Sequence, residues 1–154
     1  MNLRNIAFSL PLLFIGGCGE AHGDHGDHGD NGGHSHDAVH AGGVLAELGD
    51  HVGQLEAALD SEKGTLTLWV WDGHLENTIR LTDPTLSVQV TVGEETFTLA
   101  CAAQAKTLTG ETVGDSSEFM GQDARLEGIE HADAHVPSIT VKGVAYTDLE
   151  FHLD

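Results

Sequence analysis

The stretch LSVQVTV, residues 86–92, decides the fold class of this chain. Its apolar side chains occupy every second position: Leu86, Val88, Val90 and Val92. The intervening positions carry Ser87, Gln89 and Thr91. Because successive side chains of a β-strand point to opposite faces of the sheet, this alternation predicts a strand that is buried on one face only.

Short segments of the same kind fill most of the chain after Gly43. They cover residues 44–48, 54–59, 65–71, 78–81, 86–92, 96–101, 118–120, 124–129, 138–141 and 144–153. Residues 54–59 contain helix-favouring Ala and Glu, but the short length and the flanking turns favour a strand. From these ten segments the pattern predicts about eight or nine short strands separated by turns, with no competing helical period.

This spacing predicts an all-β domain over residues 43–154, an antiparallel β-sandwich that is Ig-like in its general architecture. An open barrel is the alternative. The Cys–Trp–Cys core of true Ig domains is absent, so the sequence predicts no strand order. Within this domain Cys101 is expected to point into the core, and Trp69 and Trp71 to lie opposite the core face formed by Leu66, Leu68 and Val70.

The amino terminus has the three parts of an export signal. Arg4 supplies the positive start, residues 6–15 the short apolar run, and Gly16 and Gly17 the small residues before a cleavage point. The last four residues, Ile15-Gly16-Gly17-Cys18, resemble the bacterial lipobox. The resemblance implies that residues 1–17 are a lipoprotein signal peptide and that Cys18 is lipidated. An ordinary secretory signal is the alternative, and either one exports the chain.

Residues 18–42 are expected to form a disordered, lipid-anchored tether, since Gly and Asp dominate and no periodic apolar residues occur. Lipoproteins that lack Asp after the lipidated cysteine usually reach the outer membrane of diderm bacteria. Because Gly19 follows Cys18, the resemblance implies an outer-membrane anchor that faces the periplasm.

The tether carries the strongest chemical signal of the sequence. Neutral imidazole binds Zn, Cu, Ni and Co, and neighbouring carboxylates add oxygen ligands and attract cations. The candidate metal ligands are His22, Asp24, His25, Asp27, His28, Asp30, His34, His36 and His40. Since ordering a flexible chain costs about 1–2 kcal/mol per residue, we expect weak to moderate, exchangeable binding of one of these ions. A hydrophilic spacer in which the histidines are incidental is the alternative.

A weaker candidate is His131-Ala132-Asp133-Ala134-His135. On a strand, His131, Asp133 and His135 would share one face and could present two nitrogens and a carboxylate to a metal ion. The stretch lies between Ile129 and Pro137, so we expect a loop without an enforced geometry. A solvated polar loop without metal is the alternative.

Charge and motifs argue against other classes of function. The formal net charge is -19, with 25 Asp and Glu against 6 Lys and Arg. Such an acidic surface repels phosphate backbones, so nucleic acid is not an expected partner. No nucleophile elbow or phosphate-binding loop occurs in the sequence, and we expect no enzymatic activity.

The start of the β-domain resembles a group of exported bacterial proteins. The residues concerned are His40-Ala41-Gly42-Gly43-Val44-Leu45, Leu48-Gly49-Asp50, Leu55-Glu56-Ala57, Asp60 and Gly64. They are similar to small planctomycete-type proteins whose domain opens with His-Gly-Gly, and to a module that precedes some periplasmic adaptors of heavy-metal efflux pumps. The match covers about residues 40–100 and departs from the pattern by the inserted Ala41. The resemblance implies a periplasmic, metal-related β-domain in which His40 is the matched residue.

The sequence therefore predicts a cell-envelope lipoprotein that binds or buffers divalent transition metal through residues 18–42, without catalysis. Its partners would be the membrane, through the lipid, and an envelope protein such as a metal efflux system. The alternative is an envelope protein–protein interaction module in which the tether is only a spacer.

Overall fold

The computed structural model describes residues 37–154, which form an all-β domain. Its eight strands are β1 (Val44–Leu48), β2 (Gly53–Asp60), β3 (Thr65–Asp72), β4 (Thr85–Val92), β5 (Glu95–Ala103), β6 (Glu118–Gln122), β7 (Ala132–Val141) and β8 (Val144–Leu153). The signal peptide, Cys18 and the tether residues up to His36 lie outside the described residues. Among residues 37–154, no helix has the length and apolarity needed to cross a membrane.

All eight strands belong to one antiparallel sheet with the order β1-β2-β3-β6-β5-β4-β7-β8. Tight turns join β1 to β2, β2 to β3, β4 to β5 and β7 to β8. In the last of these turns, Lys142 and Gly143 have φ values of 51° and 81°. Two successive positive φ values are typical of the turns that match the twist of a β-hairpin.

The sheet rolls up so that the outer strands β1 and β8 contact each other, nearly as in a barrel. Tyr146 on β8 covers Gly49 at the end of β1, where an added Cβ would lie 3.0 Å from the tyrosine Cε1. The core lies between the facing halves of the rolled sheet, and its largest buried side chains include Phe119, Phe151, Leu55 and Leu68. The predicted antiparallel all-β fold is confirmed.

Most predicted strands are present, and three local predictions were wrong. Residues 54–59 are strand, as favoured. Residues 78–81 make only isolated bridges, Trp71 to Thr78 and Leu81 to Ser116. Residues 124–126 form a 3-10 turn, capped by the Asp123 carboxylate on the backbone N–H of Arg125. The stretch around His131 is the start of β7 rather than a loop, because its small apolar residues Ala132 and Ala134 fit the buried face.

Candidate functional site

The outer face of β2 and β3 carries three large side chains. Glu56 on β2 lies directly across from Trp69 on β3, and Trp71 follows two residues later on the same face. Their neighbours along the strands, including Leu55, Ala57, Leu68 and Val70, are fully buried in the core. The alternation of a strand therefore directs these three side chains away from the core, as the sequence predicted for the two tryptophans.

His40 covers this group from the segment before β1. Its backbone N–H donates to Glu56 Oε1 at 2.6 Å, and its ring Nδ1 lies 3.0 Å from Glu56 Oε2. The imidazole stacks on the Trp69 indole with 3.7 Å between ring centroids and 13° between planes. The Trp71 ring lies further away, at 6.1 Å. We call His40, Glu56, Trp69 and Trp71 the His40 cluster.

A glycine turn brings His40 to this position. The N–H of Gly43 donates to the carbonyl oxygen of His40 at 3.0 Å, and Gly42 has a φ of 71°. A Cβ at Gly43 would lie 2.4 Å from Glu56 Oε1 and 2.9 Å from the His40 carbonyl oxygen. The backbone can approach the carboxylate this closely only because residue 43 has no side chain.

Glu56 is a charged residue type with no solvent exposure. Its carboxylate accepts from the His40 backbone, from the His40 ring and from Trp71 Nε1, the last at 2.8 Å. Among residues 37–154, no buried side-chain nitrogen or oxygen lacks a hydrogen-bond partner. Three donors offset the loss of water around the carboxylate, which explains how the covered charge is tolerated.

The second indole is held by a different carboxylate. Trp69 Nε1 donates to Glu118 Oε2 at 2.7 Å, and Lys106 forms an ion pair with the same oxygen. Each tryptophan thus has its own acceptor, and both rings are half-buried. The stacked His40 ring shows that this face is packed under a neighbouring segment.

The hydrogen bonds select one tautomer of His40. A carboxylate oxygen has no proton to donate, so the hydrogen between it and the ring must be carried by Nδ1. In the neutral imidazole, Nε2 then holds the free lone pair. The His40 side chain keeps 39% of its surface exposed.

A second group of titratable side chains lies on the exposed face of β7 and β8. His131, Asp133 and His135 stand on the β7 side, and Asp148, Glu150, His152 and Asp154 on the β8 side. The register places Asp133 opposite His152, and His135 opposite Glu150. We call these seven residues the histidine–carboxylate face.

Each histidine of this face pairs with a carboxylate on the opposite side of the β7–β8 pair. His131 Nδ1 lies 2.7 Å from Asp154 Oδ1, and His152 Nδ1 lies 2.5 Å from Asp133 Oδ1. His135 pairs through Nε2 with Asp148 at 3.3 Å. The hydrogen bond to Asp133 raises the pKa of His152, and the negative charges of Asp133, Glu150 and Asp154 add to this effect.

The face borders a cleft of about 270 Å³ whose lining includes Gln89, Thr91, Asp133, His135 and His152. Within residues 37–154, however, no three side chains of His, Cys, Asp or Glu are grouped closely enough to hold a metal ion. The strand therefore brings the predicted residues His131, Asp133 and His135 onto one face, but their hydrogen bonds join them to the neighbouring strand rather than to one common point.

Cys101 is the free thiol of the described region and is fully buried. Burial raises its pKa to about 12. The thiolate is the form that attacks electrophiles and binds metals, so the raised pKa disfavours both roles. The position of Cys101 in the core is the one that the sequence predicted.

Sequence reasoning missed Glu56 and three acidic residues of the face, Asp148, Glu150 and Asp154. In the sequence, Glu56 is an ordinary outward-facing position of β2. Its importance comes from the contact with His40, which lies 16 residues earlier in the chain. The partners of His131 and His135 were detectable in principle, because the segment 148–154 that contains them alternates polar and apolar residues. No protein-family model, curated protein or solved structure matches this chain.

Proposed function

We propose that this protein is an exported, lipid-anchored protein of the cell envelope that binds exchangeable divalent transition metal without catalysis. The lipid on Cys18 would attach it to the outer membrane, facing the periplasm. Residues 18–42 would capture Zn, Cu, Ni or Co and would let the β-domain stand away from the membrane surface. A metal efflux system is the class of partner that the family resemblance suggests.

The observation that carries the proposal is the tether composition. Three successive His-Gly-Asp triplets, at His22, His25 and His28, place imidazole and carboxylate ligands within a few residues of each other. Glycine between them removes the steric obstacle to wrapping around one ion. Serine or glycine alone would have made an adequate spacer, so the histidines favour metal capture over spacing.

The described domain supports a non-catalytic role. Its one thiol is buried with a raised pKa, and its imidazoles at residues 40, 131, 135 and 152 are hydrogen-bonded to carboxylates. Pairs of this kind resemble the carboxylate–histidine arrangement that orients metal-binding histidines in proteins. The face on β7 and β8 would add weak, exposed sites to those of the tether.

Isothermal titration calorimetry of the lipid-free mature chain, residues 19–154, with ZnCl₂ at pH 7.5 tests the proposal. A variant with His22, His25, His28, His34 and His36 all changed to Asn keeps the length and the acidic charge of the tether. We expect this variant to lose most of the zinc bound by the parent. A control with His51→Asn and His74→Asn, both exposed in turns of the domain, should bind as the parent does.

Two calorimetric results would contradict the proposal. Unchanged zinc binding by the five-histidine variant would reduce the tether to a spacer and favour the protein–protein interaction module. Absence of binding by the parent, with Zn and Cu alike, would end the metal proposal.

A further inference from the structure

We propose that the outer face of β2 and β3 holds a recognition site for a histidine residue of a partner peptide. The site consists of Glu56, Trp69 and Trp71. We call residues 37–43 the strap, and in the structure the strap closes the site by filling it with His40. This inference goes beyond the proposed function, because it involves no metal ion and gives the β-domain a binding site of its own.

The contacts of His40 show which group the site accepts. Two donors of this one residue reach the same carboxylate: the backbone N–H lies 2.6 Å from Glu56 Oε1, and the ring Nδ1 lies 3.0 Å from Glu56 Oε2. The ring also stacks on the Trp69 indole, with 3.7 Å between centroids and 13° between planes. A flat ring whose N–H lies close to its own backbone N–H meets all three contacts, and histidine has this geometry.

The site is held in place by the sheet. Glu56 and Trp69 are register partners on β2 and β3. Trp71 Nε1 donates to Glu56 Oε2 at 2.8 Å, and Trp69 Nε1 donates to Glu118 Oε2 at 2.7 Å. None of these contacts involves the strap, so release of the strap would leave the carboxylate and both indoles where they are.

Glu56 provides the preference for a donor. Its carboxylate has no solvent exposure while the strap is in place. Two of its three hydrogen bonds come from His40, so within residues 37–154 a released strap would leave Trp71 as the remaining donor. A histidine of a partner peptide would replace both lost donors and cover the carboxylate again.

The strap is attached by polar contacts and ring stacking rather than by apolar packing. None of its residues is fully buried or belongs to the hydrophobic core, and the pairing of β1 with β2 begins only at Val44. Its one aliphatic side chain beyond alanine, Val39, is 49% exposed. Segments with few buried apolar contacts open locally at low cost, so the strap can leave while the sheet stays folded.

The pair formed by His152 and Asp133 is the contrasting case. Its Nδ1 to Oδ1 distance is 2.5 Å, but the two side chains are 84% and 67% exposed. Water competes for an exposed pair, which therefore contributes little affinity. Removal of the His152 ring should create no binding site, so His152→Ala is the matched control for His40→Ala.

Three small molecules test the chemistry of the site: N-acetyl-histidine methylamide and its two ring-methylated isomers. The Nε2-methyl isomer carries its ring N–H on Nδ1, whereas the Nδ1-methyl isomer has no ring N–H when the ring is neutral. The site should tolerate a methyl group on Nε2, because the His40 side chain keeps 39% of its surface exposed. Titrations at pH 8 with EDTA keep the imidazoles neutral and remove metal ions.

The experiment follows the indole N–H resonances of the two tryptophans in NMR spectra of the complete lipid-free mature chain. We expect His40→Ala to bind the histidine probe and its Nε2-methyl isomer, with saturable shifts of both indole resonances. The Nδ1-methyl isomer should bind at least about 10-fold more weakly, and Glu56→Gln added to His40→Ala should weaken binding by a similar factor.

The parent and His152→Ala should show no shift at probe concentrations that saturate His40→Ala, because their own His40 competes at a high effective concentration. Thermal unfolding of His40→Ala keeps the test valid even where this variant folds poorly, since a probe that binds the folded domain raises its unfolding temperature.

The recognition site is overturned if no probe moves the indole resonances or the unfolding temperature of His40→Ala, or if the two methyl isomers act alike. A parent that binds the probe as tightly as His40→Ala would overturn the closing role of the strap. No outcome depends on zinc or copper, so the proposed function is tested separately.

Discussion

Glu56 shows how one buried carboxylate can organise a surface. Its three donors come from a residue 16 positions earlier and from an indole 15 positions later. A buried charge without such partners would cost several kcal/mol. Removal of the His40 ring or of Trp71 would therefore take a donor away from the buried Glu56 carboxylate.

His152 leads to a pH prediction at the same scale. The hydrogen bond to Asp133 raises its pKa above the ordinary value, so the folded protein binds this proton more tightly than the unfolded chain. The stabilisation is fully present below the unfolded pKa of about 6.5 and is lost as pH rises through the folded pKa. His152→Gln should therefore lower the free energy of unfolding more at pH 5.5 than at pH 8.5.

Urea denaturation of the parent and of His152→Gln, at each pH and with a chelator present, measures the change in unfolding free energy. Asp133→Asn removes the charge that is hydrogen-bonded to His152. In this background, the effect of His152→Gln on the unfolding free energy should depend much less on pH. An NMR titration midpoint of His152 at or below about 6.5 would contradict the prediction.

The strands and turns were the elements most open to prediction from sequence. Alternation in LSVQVTV gives β4 (Thr85–Val92) almost to the residue. It gives the wrong answer for 124–129, where the Asp123 side chain caps a 3-10 turn. The His40 cluster could not be found this way. Alternation along a strand shows which face of the sheet a residue occupies, but it does not show which segment covers that face. The segment that covers it is held by hydrogen bonds rather than by hydrophobic repetition.

Gly43 provides the test at the element scale. In Gly43→Ala the new Cβ would meet Glu56 Oε1 at 2.4 Å, and a shift of the carboxylate would strain its hydrogen bonds to His40 and Trp71. We expect a loss of about 1–3 kcal/mol of unfolding free energy and a change in tryptophan fluorescence as the His40 ring leaves Trp69.

Gly93→Ala is the control for Gly43→Ala. Gly93 has a φ of 61°, and a Cβ added there would have nothing within 4 Å, so the cost of this substitution is backbone strain alone. Its fluorescence should match the parent. Equal fluorescence in all three proteins would show that Gly43 is not needed for the stacked arrangement.

At the scale of the whole domain, the sequence predicted the all-β fold class. It did not predict how the sheet closes on itself. Antiparallel alternation is equally compatible with a sandwich and an open barrel, and strand order depends on which strands meet across long connections. In the structure β3 pairs with β6, and the outer strands β1 and β8 meet at Gly49 and Tyr146. The closing contact thus includes one aromatic ring over a glycine.

Tyr146 tests the closure. Tyr146→Ala removes the half-buried ring that packs against the core and covers Gly49. We expect a loss of about 1–3 kcal/mol of unfolding free energy, together with faster amide hydrogen exchange in β1 and β8. Tyr146→Phe keeps the ring and should retain the parent's protection. Exchange that accelerates evenly over all strands would argue against a local closing contact.

The whole chain carries a net charge of -19 and 11 histidines, a composition that attracts cations when imidazole is neutral. Protonated imidazole cannot bind metal, so metal capture must fall as pH drops through the range in which histidine titrates. The most direct measurement is the zinc and copper content of the lipid-free mature chain after equilibrium dialysis at pH 7.5 and at pH 5. The account predicts bound metal at pH 7.5 that is largely released at pH 5. Equal content at both pH values, or none at pH 7.5, would contradict it.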